Sequence, residues 1–380
     1  MSQTSIAIIG AGIAGACLAQ ALIGRGIDVT VYERNPLRSH FPKGFWIEID
    51  SVGLSALRSC LLPSHFADLL ARSRPTNRPD CRWLPRAELQ RCLLLQLDGI
   101  VRFDKPFEYY QITAEQVISH FSDGTSAASE LLVGADGINS KVRRQLLPNA
   151  QHRDTGVFAI GATATLNTAI AGFLPPKTFD HPIAITGPKN HQFFIAVWQA
   201  TNPEQDQYTS AEASRIQGEA AEFRTGEYVM IRFSAPVEAY NPHQSLHSQA
   251  SGGLKQATIE MMEAWPQNLR FLVDSFESGS FFLLPIKTSC PLDNWTTGRV
   301  SLIGDAIHAM APHGGFGANV AMRDASVLGS NLLSAIQLNE PILEAISDYE
   351  TKMIRYGFDA VRRAADILRQ ANGIAYDILS

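Results

Sequence analysis

The chain has no excess of positive charge. Its 32 Lys and Arg are outnumbered by 37 Asp and Glu, for a formal net charge of -5. No basic stripe offsets phosphate repulsion, so a general affinity for nucleic acid is excluded. No apolar run approaches the roughly 18 residues that a bilayer-spanning helix needs. The first strand-like segment, Ile6–Ile9, begins so near the N-terminus that no signal peptide is expected ahead of it. Cysteine is scarce: Cys17, Cys60, Cys81, Cys92 and Cys290 are widely spaced, odd in number and lack a Cys-x-x-Cys pair. A disulfide framework and a zinc site are therefore not expected, and a reducing, cytoplasmic setting is. Also missing are a G-x-S-x-G elbow, an H-E-x-x-H helix and a Walker A lysine, which removes the common nucleophilic, zinc-protease and P-loop readings. Neither His308 nor His313 has cysteines or carboxylates at metal-ligand spacing, so no metal is expected. No internal repeat or low-complexity segment stands out.

What is present fits a globular enzyme. A chain of 380 residues, 45% hydrophobic and 18% charged, is too long for one ordinary core and suits two domains or an interleaved pair. Ile6–Ile9 runs into Gly10-Ala11-Gly12-Ile13-Ala14-Gly15, an Ala- and Leu-rich stretch continues to Leu22, and Asp28-Val29-Thr30-Val31-Tyr32-Glu33 follows Gly24 and Gly26. This is strand, glycine turn, helix and second strand, a βαβ unit that demands a parallel sheet. Leu37–Gly53, with Pro42 and Gly44, reads as irregular, Leu54–Leu61 as a helix, and the polar, Pro-rich run Ser73–Pro79 as a loop or domain crossing. Pro85 suits the start of a helix carrying Arg86, Leu89, Cys92, Leu93 and Leu97. Hairpin strands extend to Phe121 with a turn at residues 122–125, and Leu131–Val133 is a buried strand ending at Gly134-Ala135-Asp136-Gly137. Between Gly156 and Pro285 aromatic alternating segments such as Phe193–Trp198 and Tyr228–Phe233 predict a mainly antiparallel sheet, with a helix near Gly253–Ala264. Val300–Ile303 returns to strand, followed by Gly304-Asp305 and a glycine-rich loop opening a helix. The last 40 or so residues predict a long amphipathic helix with Ile346, Tyr349, Met353, Tyr356, Ala360, Val361, Ala364, Ile367 and Leu368 on one face. That helix reads as a packing strut, with a membrane-surface anchor as the alternative.

Two constellations carry chemistry. In G-x-G-x-x-G the first glycine allows the tight turn, the second lets backbone approach a pyrophosphate, and the third lets helix pack on strand. The helix N-terminus offers N–H groups and a positive dipole end to phosphate. Glu33, ending the next strand, can accept hydrogen bonds from ribose hydroxyls. This recognises an ADP-ribose but does not separate FAD from NAD. The second constellation is Gly304-Asp305 followed by Pro312-His313-Gly314-Gly315-Phe316-Gly317-Ala318-Asn319. A carboxylate at a strand end can hold ribitol hydroxyls, and a glycine loop opening a helix can aim N–H groups at the flavin edge that becomes negative on reduction.

Taken with Asp136-Gly137, and with Arg86, Leu89 and Leu93 in an R-x-x-L-x-x-x-L helix, these motifs resemble the FAD-dependent aromatic hydroxylases of the p-hydroxybenzoate hydroxylase fold. The resemblance spans roughly residues 5–335. It implies an α/β architecture: a Rossmann-like FAD-binding domain interleaved with an antiparallel-sheet substrate domain, plus a long C-terminal helix. The expected FAD-binding domain comprises residues 1–72, 84–155 and 286–335, the substrate domain 73–83 and 156–285, and the helix 336–380. The resemblance implies that Glu33 meets the adenosine ribose, Arg86 the pyrophosphate and ribityl chain, Asp305 the ribityl chain, and Gly317, Ala318 and Asn319 the flavin edge. Asp136 is associated with both FAD and NAD(P)H. Gly44-Phe45-Trp46-Ile47-Glu48 is similar to the flavin-lining segment of tetracycline-inactivating relatives, which makes Glu48 a further candidate. The expected cofactor-binding set is thus Gly10, Gly12, Ile13, Ala14, Gly15, Glu33, Arg34, Glu48, Arg86, Asp136, Gly304, Asp305, Gly317, Ala318 and Asn319, with no catalytic residue legible.

The reaction so implied uses NAD(P)H and O2 to hydroxylate a small, aromatic or polyketide-like substrate through a C4a-hydroperoxyflavin, in a monomer or homodimer. An oxidase, dehydrogenase or halogenase of the same fold, and a non-catalytic flavin-binding protein, remain alternatives. The W-x-W-x-I-P pattern of flavin halogenases is absent. His313 and Phe316 depart from the family loop. The expectation for His313 is that it packs or caps the loop, and for His308 a structural role. Trp46 and Trp198 are the tryptophans that could stack on a ring substrate.

Overall fold

The computed structural model describes residues 4–23, 25–37, 46–76, 78–199, 227–240, 250–374 and 377–379. Gly24, Pro42, Gly44, Phe45 and Asn77 of the segments quoted above lie outside the described residues. In chain order the elements are β1 (Ser5–Ile9), α1 (Ile13–Leu22), β2 (Asp28–Tyr32), β3 (Trp46–Ile49), α2 (Ser51–Cys60), α3 (Pro63–Arg72), β4 (Arg74–Pro75), β5 (Arg82–Pro85), α4 (Arg86–Leu94), β6 (Val101–Arg102), β7 (Phe107–Ile112), β8 (Val117–Phe121), β9 (Ser126–Ser129), β10 (Leu131–Gly134), α5 (Lys141–Leu146) and β11 (His152–Thr165). There follow α6 (Thr168–Ala171), β12 (Ile183–Thr186), β13 (Gln192–Trp198), β14 (Tyr228–Pro236), α7 (Ser251–Met261), α8 (Gln267–Asp274), β15 (Phe281–Ser289), β16 (Val300–Leu302), α9 (Asp305–His308), α10 (Phe316–Leu338) and α11 (Ile342–Asn372).

The βαβ reading of the N-terminus holds. The first sheet runs β16-β10-β1-β2-β6, every pair parallel. Strands β1, β10 and β16 are short and almost wholly buried, as strands covered on both faces must be. Helices α1, α10 and α11 join them in one large core with Leu18, Leu132, Leu302, Leu328, Tyr349 and Phe358. The second sheet, β12-β13-β14-β11-β15, is antiparallel throughout. One face of it packs under α7 and α8 through Phe193, Ile231, Phe233, Leu269 and Leu272. Residues 155 and 285 both fall within strands of the second sheet, β11 and β15, so the expected boundaries cut across that sheet. The register of β11 against β15 shifts between Asp154 and Phe158, where Gly156 has φ 72°.

Several local readings change. The second helix starts at Ser51, three residues before the expected Leu54, because the Asp50 side chain caps it by accepting from Val52 N and Gly53 N. Residues 63–72 form a helix that the sequence reading passed over, opened by Pro63 in its first turn and burying Phe66 and Leu69. The Ser73–Pro79 run is not simply loop: Arg74 and Pro75 pair with Trp83 and Arg82 at the edge of a small sheet, an edge being where proline is tolerated. The helix expected near Gly253–Ala264 is α7, Ser251–Met261, and a second helix not expected from the sequence, α8, begins just after Pro266. In the C-terminal helix Ile346, Tyr349, Met353, Val361 and Leu368 are buried, while Ile367 is exposed. Most of its apolar stripe is covered by protein, as a packing strut requires. Among the described residues no helix is long and apolar enough to cross a membrane.

Candidate functional site

In an open parallel sheet ligands bind beyond the carboxyl ends of the strands, where the strand order reverses. Four of the motifs singled out in the sequence follow such ends: Gly10 after β1, Glu33 after β2, Asp136 after β10 and Gly304-Asp305 after β16. A hollow lined by Thr4, Glu130, Leu131, Arg299 and Ile342 lies at the amino ends of the same strands and shares none of these motifs.

The motifs touch one another. Gly10 has φ 105°, and a Cβ there would lie 2.5 Å from the Ala135 carbonyl oxygen, so only glycine lets the first turn lie against the Asp136 loop. A Cβ on Gly15 would lie 2.0 Å from the Gly10 oxygen, which is the tight helix–strand contact expected of the third glycine. A Cβ on Gly304 would lie 2.9 Å from the Ala14 Cβ, so the Gly304-Asp305 turn docks on the first turn of α1. Arg143, 5% exposed, fastens the same region by donating to the carbonyls of Ile138 and Ala306.

The residues present fit a nucleotide. A Cβ on Gly12 would meet no atom within 4 Å, so backbone there faces open space. No side chain caps α1 and no acid stands in its first turn. Glu33 is buried, with Oε2 accepting from Ala11 N at 2.9 Å and Oε1 from Asn35 N at 2.9 Å. Its carboxylate thus stands against the glycine turn. Asp136 caps α5 by accepting from Lys141 N at 2.8 Å, while its Oδ1 is buried with no hydrogen-bond partner. Burial raises its carboxyl pKa, against the Ser140 hydroxyl and nearby amides, which favour the charge. Arg34 and Arg86 are both exposed.

Asp305 is accessible to solvent yet surrounded closely enough by protein for burial to raise its carboxyl pKa, with His308 and Arg86 opposing and Asp324 reinforcing. Both conditions hold together on the floor of an open cleft. A Cβ on Gly317 would lie 4.0 Å from Asp305 Oδ1, so the glycine loop closes over the same floor. Gly315, at φ 69°, begins α10 with no side-chain cap, and the N–H groups of the first turn of this 23-residue helix have no intrahelical acceptor. The Asn319 side chain is fully engaged. It donates to Glu48 O and Gly315 O and accepts from Asp50 N, so it ties the start of α10 to β3 and α2. Glu48 stands beside Gly315, its carboxylate in an ion pair with Arg78 at 3.3 Å. The Phe316 ring lies against Gly314 and under Arg363 of α11, 4.7 Å from its centroid.

Sequence reading did not reveal how the cleft is braced. Asp324, fully buried, accepts from Gly304 N at 2.7 Å and from the Tyr356 hydroxyl at 2.7 Å, and bonds His308 Nε2 at 2.6 Å. Burial disfavours the charged His308 ring, but the Asp324 carboxylate outweighs it and the pKa rises. The structural role expected of His308 is observed, and it ties α11 to the Gly304 turn. The tryptophans are not isolated in space. Trp46 and Trp198 lie 5.5 Å apart in a buried cluster with Tyr228 and Met230. Arg74 sits over both rings, 5.4 and 5.5 Å from their centroids. His313 does not cap the loop: it is 9% exposed and neither ring nitrogen has a partner. Among the described residues no group of three or more His, Cys, Asp or Glu could hold a metal ion.

Comparison with known proteins gives the geometry a context. Residues 287–363 match the FAD binding domain family, and residues 8–37 match the NAD(P)-binding Rossmann-like domain family. The crystal structure of an FAD-containing monooxygenase from Photorhabdus luminescens is 30% identical, with a TM-score of 0.80 over 97% of this chain and 99% of that one. The dual O-methyltransferase/FAD-dependent monooxygenase elcB of Phaeosphaeria nodorum is 26% identical over 88% of this chain. The chain spans only 41% of that relative. The 6-hydroxynicotinate 3-monooxygenase of Pseudomonas fluorescens is 26% identical over 86% of this chain and 82% of its own length.

Proposed function

Since this chain belongs to the FAD-dependent monooxygenase family, we propose that it binds one FAD in the cleft described above and uses NAD(P)H and O2 to hydroxylate a small aromatic substrate. The observation that carries this reading is the meeting of Gly10, Glu33, Asp136 and Gly304-Asp305 at the carboxyl ends of one parallel sheet, with Gly12 open to solvent.

In this reading the backbone of Gly12, Ile13 and Ala14 and the α1 N-terminus hold the pyrophosphate, the helix dipole favouring its charge. Glu33 turns from the Ala11 amide to the adenosine ribose hydroxyls, with Arg34 beside it. Asp305 accepts from the ribityl hydroxyls, and Arg86 neutralises phosphate nearby. The free N–H groups at the start of α10, around Gly317 and Ala318, face the ring edge and stabilise negative charge there. Glu48 and the Asn319 backbone complete that wall, and Asp136 contributes its unpartnered Oδ1. Bound FAD supplies hydride acceptance from NAD(P)H and activation of O2. The protein's part is to orient and to exclude water. Trp46, Trp198, Tyr228 and Met230 are apolar, buried side chains placed for the second task. We assign cofactor binding to residues 1–72, 84–155 and 286–335, and substrate covering to residues 73–83 and 156–285. All five cysteines are unpaired, which supports a cytoplasmic setting.

The test is to purify the protein, measure bound flavin, and screen aromatic compounds for stimulation of NAD(P)H oxidation with product mass checked for one added oxygen. A preparation that stays colourless after incubation with excess FAD would overturn the reading. So would flavoprotein whose NAD(P)H consumption never depends on O2.

A further inference from the structure

The inner face of the second sheet carries a cation with no counter-ion among the described residues. Alternation along β14 buries Val229, Ile231, Phe233 and Ala235 under α7 and α8. It turns Tyr228, Met230 and Arg232 the other way, the first two into a cluster with Trp46 and Trp198 against which Phe194 packs. Arg232 stands opposite Gly161 and Phe194 in the sheet. Its guanidinium lies 5.3 Å from the centroid of the Phe194 ring. The ring of Phe282 fills the space that a side chain at Gly161 would need. The Arg232 Nε is buried and unpartnered. Burial alone pushes its pKa down to about 10, with no carboxylate acting against it.

His313 reaches the same region from the glycine loop. Both its ring nitrogens are buried without partners. Burial first, and the charge of Arg232 second, push its pKa down to about 3, so it is neutral at ordinary pH. The indole N–H groups of Trp46 and Trp198 are also buried without acceptors. The other cation here, Arg74, is different: it already donates to the carbonyls of Phe179 and Gln199 and is structural. A half-buried charge with no counter-ion among the described residues, and several orphan donors beside it, are costly unless a ligand completes them.

We propose that this face is the substrate subsite, and that it takes a planar ring bearing an ionised acidic group, with Arg232 as its counter-ion and His313 as a second hydrogen-bonding partner. This rests on the monooxygenase reading. The flat walls come from Trp46, Trp198 and Phe194, the oxyanion site from Arg232, and the position beside the loop that opens α10 brings the ring to the cofactor. A competing role for Arg232, balancing negative charge on the reduced cofactor, is separated by the test.

The experiment titrates the FAD-loaded protein with benzoate and with benzamide, a pair alike in shape but not in charge. Binding is followed by tryptophan fluorescence and by the visible spectrum of the bound flavin. Benzoate is expected to bind at least about 10-fold more tightly than benzamide. Arg232→Gln abolishes the preference, while Arg232→Lys, which keeps the charge, retains most of it. His313→Ala weakens benzoate binding without reversing the preference. Flavin content of each variant reports folding, and Arg232→Lys with the wild-type pair keeps the test decisive if Arg232→Gln does not fold. Equal binding of the two probes overturns the proposal. So does benzoate with no saturable signal below about 50 mM, an affinity weaker than one charged pair in a dry pocket gives. An Arg232→Gln protein that still prefers benzoate, or that changes only the flavin reduction potential, overturns it too. A protein that never binds FAD refutes the wider reading instead.

Discussion

Replacing Gly12 by alanine separates the fold from the cofactor. The structure leaves open space where the new methyl would lie, and the residue has φ -68° and ψ -174°, which alanine adopts freely. The apo fold therefore gains about 0.4–1 kcal/mol from a less flexible unfolded chain. It loses a similar amount because alanine is a poorer N-cap than glycine, so the net change stays within about 1 kcal/mol. Cofactor binding responds differently. If the pyrophosphate lies at Gly12 as proposed, the methyl occupies volume that it needs against the backbone. Losing two hydrogen bonds to a charged group costs about 3–6 kcal/mol, or roughly 100- to 10,000-fold in affinity. Gly10→Ala is the contrast. Its Cβ would lie 2.5 Å from a backbone oxygen at φ 105°, so strain and overpacking together cost about 2–5 kcal/mol of apo stability. Urea unfolding of the two apo variants and FAD titration by quenching of flavin fluorescence decide the matter. Gly12→Ala protein that unfolds as easily as Gly10→Ala, or that binds FAD within about 3-fold of wild type, refutes the reasoning.

Further outcomes follow from the brace behind the cleft. Asp324→Asn breaks a buried charged network and lowers stability by about 3–5 kcal/mol. Tyr356→Phe removes a single bond to that carboxylate and costs about 1.5–3 kcal/mol; a change below about 0.5 kcal/mol in chemical denaturation would show that α11 is held by packing alone. Gly357→Ala places a Cβ 2.7 Å from the His308 ring and costs about 1–3 kcal/mol by overpacking, seen as a lower Tm and weaker FAD retention. His313 has a folded pKa of about 3, below its unfolded value. The unfolded chain therefore binds the extra proton, and stability falls with falling pH between about 6.5 and about 3, by about 1.4 kcal/mol per unit. A His313→Gln protein should lack that component, so the difference between its stability-versus-pH curve and that of wild type isolates it. Parallel curves would refute the neutral, buried ring.

The local motifs were legible because each follows from backbone geometry within a few residues. The βαβ unit could be read from Ile6 to Glu33 because a glycine turn, a helical run and two apolar strands leave few alternatives. The helix at residues 63–72 was missed because Pro63 follows the preceding helix by two residues, and only the burial of Phe66 and Leu69 gives the segment an inward face. The pairing of Arg74 and Pro75 with β5 was missed because strand partners are chosen by tertiary contact. The brace of Asp324, His308 and Tyr356 joins residues on three helices, and no periodicity links them. Arg232 carried one faint signal, a lone charge in an aromatic strand, but whether it met an acid or an empty face could not be read along the chain.

By itself the sequence determined which backbone turns are possible: glycine at Gly10 and Gly315 permits dihedrals that other residues resist, and apolar periodicity selects parallel strands and amphipathic helices. Only the tertiary structure decided which of those turns meet, that Gly304 lies on Ala14, and that Arg232 Nε and both ring nitrogens of His313 are buried without partners. Burial and charge pairing depend on distances between segments far apart in the chain, and those distances are fixed only when the two cores close.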